Sequence, residues 1–320
     1  MLKFHFLGTS SGVPTRQRNV TGLAVQRSDS ADWMLVDAGE GTQHQIQQAR
    51  LSLHDLSVIC ITHVHGDHCY GLPGMLASAG MAGRKKALTL VAPLPVWQWL
   101  QATQQLTDLH LPYAIEHVDV ALHDTVWNMP GLSITRHALL HRVPCFAYRF
   151  AATDVRSSLR VAALKAAGVP PGPQWSTLQN GGDINFEGQV LRSADYVDTV
   201  RYQVAAVIGG DNADPSLLQA ACQDVQLLIH EATYTQEVLE KVGPGPMHSS
   251  AQGVAQFAQS VALPNLVLTH LSARYHNTEG EAAVLAEAKK YFTGDTWLAQ
   301  DGDVFELMRD GQLHHKPVAT

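Results

Sequence analysis

The chain has 320 residues, 45% hydrophobic and 16% charged. This is enough apolar material for one large α/β domain with an insertion, and it excludes a disordered or coiled-coil chain. With 22 basic and 29 acidic residues the net charge is −7, which excludes a globally basic nucleic-acid coat but leaves room for a local basic patch. The four cysteines contain no CxxC pair and no disulfide framework. No apolar run approaches a membrane span, and the N-terminus lacks the layout of a signal peptide. A reducing, cytoplasmic setting with no membrane is the expectation.

In chain order, "LKFHFLG" reads as a strand and Gly8 to Asn19 as a polar loop, followed by strands "GLAVQR" and "WMLVDAG". A helix over Gln43 to Arg50 precedes the strand "SVICITH", which runs straight into "HVHGDHCYGLPG". Met75 to Ala82 and Pro95 to Leu106 read as helices around the strand "ALTLVAP". Short strands follow near Ile115 to Val120, Leu132 to Ala138 and Phe146 to Phe150.

Between residues 151 and 198 the texture changes. One helix, Leu159 to Ala167, precedes "GVPPGP", where prolines force extended or turning backbone. "NGGDINFEGQ" reads as turns, and the whole segment reads as a protruding insertion. The strand series resumes with "VAAVIGGD", "VQLLIHEA" and "NLVLTH", separated by helices near Pro215 to Cys222 and Ser250 to Val261. A last helix and turn is expected over Lys289 to Asp295, then the strand "VFELM" and a loose polar tail over 309–320. Strands alternating with helices predict an α/β protein with a mixed sheet or paired sheets flanked by helices.

Among 17 histidines, His63, His65 and His68 cluster with Asp67 in "THVHGDH" at a strand tip. Four metal-capable side chains in six positions do not arise from packing needs, and imidazole with carboxylate suits zinc, manganese, iron or related ions. One loop holds too few ligands for two ions. His141, Asp211 and His270 each end or follow an apolar strand, where α/β proteins place functional residues. His137 competes with His141 in the same stretch. As a set they fill a binuclear plan: one ion on His63, His65, His141 and Asp211, the other on Asp67, His68, Asp211 and His270, with Asp211 bridging. Asp37, Glu40 and Gly41 are expected to shape the site without direct ligation.

"HVHGDH" with His141, Asp211 and His270 resembles the metallo-β-lactamase superfamily of binuclear hydrolases, and more nearly its ribonuclease Z family of tRNA 3′-processing endonucleases. "FLGTSSGVPTRQRN", "DAGEGTQHQ", "GLPG", "GVPPGP", "HEAT" and "HSS" carry that nearer resemblance, which runs from residue 2 to about residue 308. It implies an αββα sandwich over 1–308, two facing mixed sheets with outer helices, carrying a substrate-binding arm at 151–198. It also implies two Zn2+ per subunit (Mn2+, Co2+ or Fe2+ as alternatives), a homodimer, and cleavage of precursor tRNA that leaves a 3′-hydroxyl. DNA is not an expected partner. By the same resemblance Asp67 orients the nucleophile or takes its proton, His248 serves the leaving group, and His230 and Glu231 assist it.

Arg16 and Arg18 in "VPTRQRN" offer guanidinium forks for phosphate oxygens, and the resemblance implies that Asn19 beside them and Gly168, Pro171, Gly172 and Pro173 of the arm also bind substrate. Two departures stand out. The family usually continues its bridging aspartate with threonine, and this chain has Asn212. From 151 to 200 four basic residues (Arg156, Arg160, Lys165, Arg192) face five acidic ones (Asp154, Asp183, Glu187, Asp195, Asp198), so the arm is no strong electrostatic clamp. The competing readings are a general metallo-hydrolase of small phosphodiesters or related esters, and a non-catalytic protein that binds metal and RNA.

Overall fold

A computed structural model describes residues 1–317. Two compact units divide the chain, one formed by 1–152 with 204 onward and the other by Thr153–Gln203. In the first, strand alternation sorts apolar side chains into layers. Phe4 and Phe6 (strand Leu2–Gly8), Met34 and Val36 (Trp33–Ala38), and Val58 and Cys60 (Leu56–Cys60) enter a central core. Ile229 of Leu227–Glu231 and Val267 of Asn265–Thr269 join that core from a second sheet. The alternate residues Leu35 and Ile59 turn to the opposite face, where they pack with Ile46, Met75, Leu76, Val96 and Leu100 from three helices. Leu228, Leu266 and Leu268 likewise back onto Val254, Ala258, Val284 and Ala288 of the helices Ala251–Ser260 and Thr278–Tyr291.

The result is helix, sheet, sheet, helix: an αββα sandwich of an eight-stranded and a seven-stranded mixed sheet. In the first sheet, Trp33–Ala38, Leu56–Cys60, Leu88–Ala92 and Ile115–Asp119 run parallel in order. In the second, Val197–Ile208, Leu227–Glu231, Asn265–Thr269 and Asp295–Leu298 do so. Parallel strands place their carboxyl ends at one edge, and the loops leaving those ends carry the chemistry.

Three expectations change. The last helix begins at Thr278 and ends at Tyr291, capped by the Asn277 side chain, which accepts from the Gly280 N–H (2.8 Å). It is hard to see in sequence because it buries only Val284 and Ala288. The tail is not loose over Leu313–Lys316. That segment pairs antiparallel with Val304–Leu307, buries Leu313, and stacks His315 on Phe305 with ring centroids 4.4 Å apart. The end of the expected tail, 318–320, lies outside the described residues.

The Thr153–Gln203 unit has a small core of its own, Leu164, Val169 and Leu178, with Trp175, Phe186 and Tyr196 packed on it. Its helices are Val161–Ala166, Pro173–Gln179 and the short Ser193–Tyr196. The stretch read as turns holds a hairpin, Ile184–Phe186 with Gln189–Leu191. Glu187 and Gly188 at its tip have φ of +50° and +81°, the left-handed pair that a two-residue hairpin turn requires. Strands of three residues are too short to show alternation.

Candidate metal centre

The strand Leu56–Cys60 leads into a connection that bends at Val64 and carries His63 and His65, and a four-residue helical turn, Gly66–Cys69, then carries Asp67 and His68. This turn must lie against the loop after Ala38. A Cβ on Gly39 would stand 2.3 Å from the Asp67 carbonyl oxygen, and one on Gly71 would stand 2.2 Å from that of Gly39. The glycines of "DAGEG" and "GLPG" permit that close approach.

Two donor sets form there. His65 Nδ1 lies 3.0 Å from His63 Nε2 and 3.1 Å from His141 Nε2. Asp211 Oδ2 is 3.7 Å from both of those Nε2 atoms. In the second set, His68 Nε2 and His270 Nε2 are 3.2 Å apart, and Asp67 Oδ2 is 3.5 Å from each. Asp211 Oδ1 is 3.3 Å from the same two nitrogens. A tetrahedral ion with bonds of about 2.0–2.1 Å separates its donors by about 3.3 Å, so both sets have the spacing of a coordination shell. Asp211 turns one oxygen toward each set.

For His63, His68, His141 and His270, outer groups select the nitrogen that the imidazole presents. His63 Nδ1–H donates to Thr62 Oγ1 (3.0 Å), and His68 Nδ1–H donates to Asp37 Oδ2 (2.7 Å). His141 Nδ1–H donates to the Met247 carbonyl (3.0 Å), and His270 Nδ1–H to Thr233 Oγ1 (3.1 Å). Each leaves Nε2 to the centre. Asp37 is itself held by the Thr62 N–H and hydroxyl, and the Thr233 hydroxyl donates to Glu231 Oε2 (2.5 Å). Asp37 and His270 both have left-handed φ, +59° and +57°, strain of the sort that collects at functional sites.

Burial keeps His63, His65 and His141 below the ordinary histidine range, in the neutral form that ligates metal. Burial alone would raise the Asp211 carboxyl, but His270, His68 and His63 outweigh it and hold it well below the usual range. For His68, burial is overcome by Asp211, Asp37 and Asp67, which raise it. The carboxylates that favour a proton there also favour a metal cation.

Beside the donors, His248 Nδ1 lies 3.0 Å from Glu231 Oε1 and 3.8 Å from Asp211 Oδ2. Burial would lower His248, but the Glu231 carboxylate prevails and pushes it up to about 9. An apolar recess of about 440 Å3, lined by Leu140, Leu239, Pro244 and Met247, opens next to it.

The seven expected ligands therefore converge, and His141 is chosen over His137, which lies within the strand Leu132–Leu139 opposite Ala147. Two expectations need correction. His230 is fully buried, its Nδ1–H donating to the Glu231 carbonyl and its Nε2 accepting from Asn212, so it touches no reacting group. Arg18 offers no fork to phosphate. Its guanidinium is buried, and it donates to Glu281 (2.6 Å), Thr9 Oγ1 (2.6 Å) and the Ala299 carbonyl (2.7 Å). The Asn19 N–H donates to Asp301. Arg16 is exposed. Gly168, Pro171, Gly172 and Pro173 belong to the Thr153–Gln203 unit. Sequence reading missed Thr62, Thr233 and the Met247 carbonyl. The signal for Thr233 was its place in "HEAT".

The chain is 47% identical over 318 residues to ribonuclease Z of Marinobacter nauticus, covering 98% of each. It is 42% identical over 312 residues to ribonuclease Z of Pseudomonas putida, covering 96% of this chain and 97% of that one. It is 36% identical over 299 residues to ribonuclease BN of an Enterobacter species, covering 92% and 97%. The family model described as anti-Pycsar protein Apyc1 matches residues 2–106. Among solved structures, human tRNase Z, short form, superposes with a TM-score of 0.65 at 21% identity, covering 96% of this chain and 99% of that one. The metallo-β-lactamase-fold protein YhfI of Bacillus subtilis superposes at 0.64 with 17% identity, covering 95% and 98%, and like the first it speaks for the fold alone.

Proposed function

The chain belongs to the ribonuclease Z family of metal-dependent hydrolases, and from that premise we propose that it removes the 3′ trailer from precursor tRNA, leaving a 3′-hydroxyl. The observation that carries this reading is Asp211, whose two oxygens divide between two complete donor sets. The imidazole-rich sets suit Zn2+, with Mn2+, Co2+ or Fe2+ as alternatives. Bound there, two such ions supply Lewis acidity and activation of water.

The chain's own residues do the remaining work. Asp67 Oδ2 accepts from the Gly12 N–H (2.9 Å), which fixes the carboxylate where it can orient the attacking water and take its proton. His248, kept protonated at neutral pH by Glu231, gives a proton to the departing ribose 3′-oxygen. Glu231 is a positioning residue, since it acts through His248 and Thr233. Exposed Arg16 meets the substrate backbone. The Thr153–Gln203 unit serves as the arm that grips tRNA. The reading includes a homodimer in the cytoplasm. Among the described residues all four cysteines are free and buried, and no helix is long and apolar enough to cross a membrane.

The general phosphodiesterase reading draws on the arm's charges. Arg160 is already paired with Asp198 (2.7 Å), and Arg156 with Asp154 (3.6 Å). Incubation of the metal-loaded protein with a 3′-extended precursor tRNA and with bis(p-nitrophenyl) phosphate separates the two. One cut after the discriminator nucleotide with a 3′-hydroxyl product is expected. Turnover of the small diester without cleavage of the precursor would reject the tRNA reading. Absence of turnover on both would leave the metal- and RNA-binding alternative.

A further inference from the structure

Residue 212 follows the bridging aspartate, and all its polar atoms are engaged. Asn212 is fully buried. Its Oδ1 accepts from the Leu140 N–H (3.2 Å) and the Asp214 N–H (3.2 Å). Its Nδ2 donates to the Asp214 carbonyl (3.0 Å) and to His230 Nε2 (3.1 Å). Its backbone N–H donates to Glu231 Oε1 (2.8 Å), and its carbonyl accepts from Ser249 Oγ (2.5 Å).

These bonds lead to particular places. Leu140 precedes His141, a donor of the first set, and Ser249 follows His248. The side chain makes none of these bonds to Asp67, His68 or His270, whose supports are Asp37, Thr233 and the Gly12 amide. We infer that the Asn212 carboxamide is a positioning residue for one half of the metal centre, holding His141 against His63 and His65 while leaving the His68/His270 half to other supports. His230 is its partner: with Nδ1–H committed to the Glu231 carbonyl, Nε2 is an acceptor that requires a donor, and the Asn212 amide supplies it. A shorter side chain with one hydroxyl cannot span from the Leu140 amide to the His230 ring. A carboxamide separates donor and acceptor by the necessary width.

The test is zinc release to a chromophoric chelator, measured on the full chain together with metal content and the Tm of the chelated protein. In Asn212→Ala, one of two bound ions is expected to leave 10- to 100-fold more readily, as is usual when a ligand's outer support is lost. The other ion should keep its wild-type behaviour. In cobalt-loaded protein, only one site's d–d bands should change. His230→Gln keeps an acceptor and should release zinc as the wild type does. His230→Ala should follow Asn212→Ala, and the double variant should be no worse than Asn212→Ala alone, because partners in one network are not additive. Equal loss from both sites would overturn the inference in favour of a general role in folding, as would unchanged release from Asn212→Ala. Should Asn212→Ala not fold, Asn212→Thr is read by the same criterion. The inference rests on the metal-centre reading, and wild-type protein that binds no second ion would sink that reading instead.

Discussion

Glu231 Oε1 lies 3.0 Å from His248 Nδ1, and this contact outweighs the burial of the ring to make His248 a cation at neutral pH. The acid form is therefore the working form, present below a pKa of about 9 and lost above it. In Glu231→Gln the carboxylate charge is gone, so the alkaline limb of kcat/KM is expected to move to lower pH. A limb unchanged by that substitution would remove Glu231 from the role. His248→Ala should lower kcat by about 100- to 10,000-fold, the usual range for a lost general acid, while metal content stays at the wild-type value.

Asp211→Ala should lose both the activity and the metals. Each donor set loses one oxygen, and the histidines of the two sets then face one another without the carboxylate between them. Elemental analysis of the purified variant checks this. Full occupancy would show that Asp211 does not bridge.

Arg16 and Arg18 should separate cleanly. Arg18→Ala removes a buried guanidinium together with its bonds to Glu281, Thr9 and the Ala299 carbonyl, and the expected outcome is a lower Tm. Arg16 is exposed, so Arg16→Ala should leave Tm unchanged and raise KM for precursor tRNA. A normal Tm in Arg18→Ala would contradict its placement.

Asp301 and His5 line one polar cavity and respond to acid in opposite senses. Burial pushes the Asp301 carboxyl up to about 6, even though the Asn19 N–H and the Thr9 hydroxyl donate to it. Its folded pKa is above its unfolded one, so its contribution to stability is fully present below about pH 4 and lost as pH rises through 6. Burial lowers His5 to about 4, so its contribution is present above pH 6.5 and lost as pH falls through 4. In chelated protein, Asp301→Asn should therefore remove a stabilisation that the wild type gains on going from pH 7 to 5. Parallel Tm profiles for the two proteins over that range would refute the assignment.

Deleting Leu159 to Tyr196 and closing the gap with a glycine linker tests the arm. The donor residues lie outside the deletion, so turnover of a small chromogenic phosphodiester should persist. On precursor tRNA, kcat/KM should fall at least about 100-fold, roughly 2.7 kcal/mol of lost transition-state binding. Equal loss on both substrates would give the arm a folding role only.

By itself the sequence determined that this protein gathers metal-capable side chains and which loop begins the cluster. His63, His65, Asp67 and His68 lie within six residues at a strand end, and local backbone geometry suffices to bring them out together. The succession of strands and helices likewise declared the α/β class, because each element is signalled by local residue patterns, while the pairing of two sheets came from the family resemblance. Tertiary structure alone decided the contacts between distant positions. Asp37 supports His68 from 31 residues away, His141 meets His65 across 76, and His270 meets His68 across 202. The choice of His141 over His137, the nitrogen each ring presents, the withdrawal of Arg18 onto Glu281 and of His230 onto Asn212 all follow from how the two sheets pack. A side chain's type and spacing state what it can bind. Its burial and its neighbours' hydrogen bonds, which only the packed sheets establish, state whether that capacity is free or already engaged.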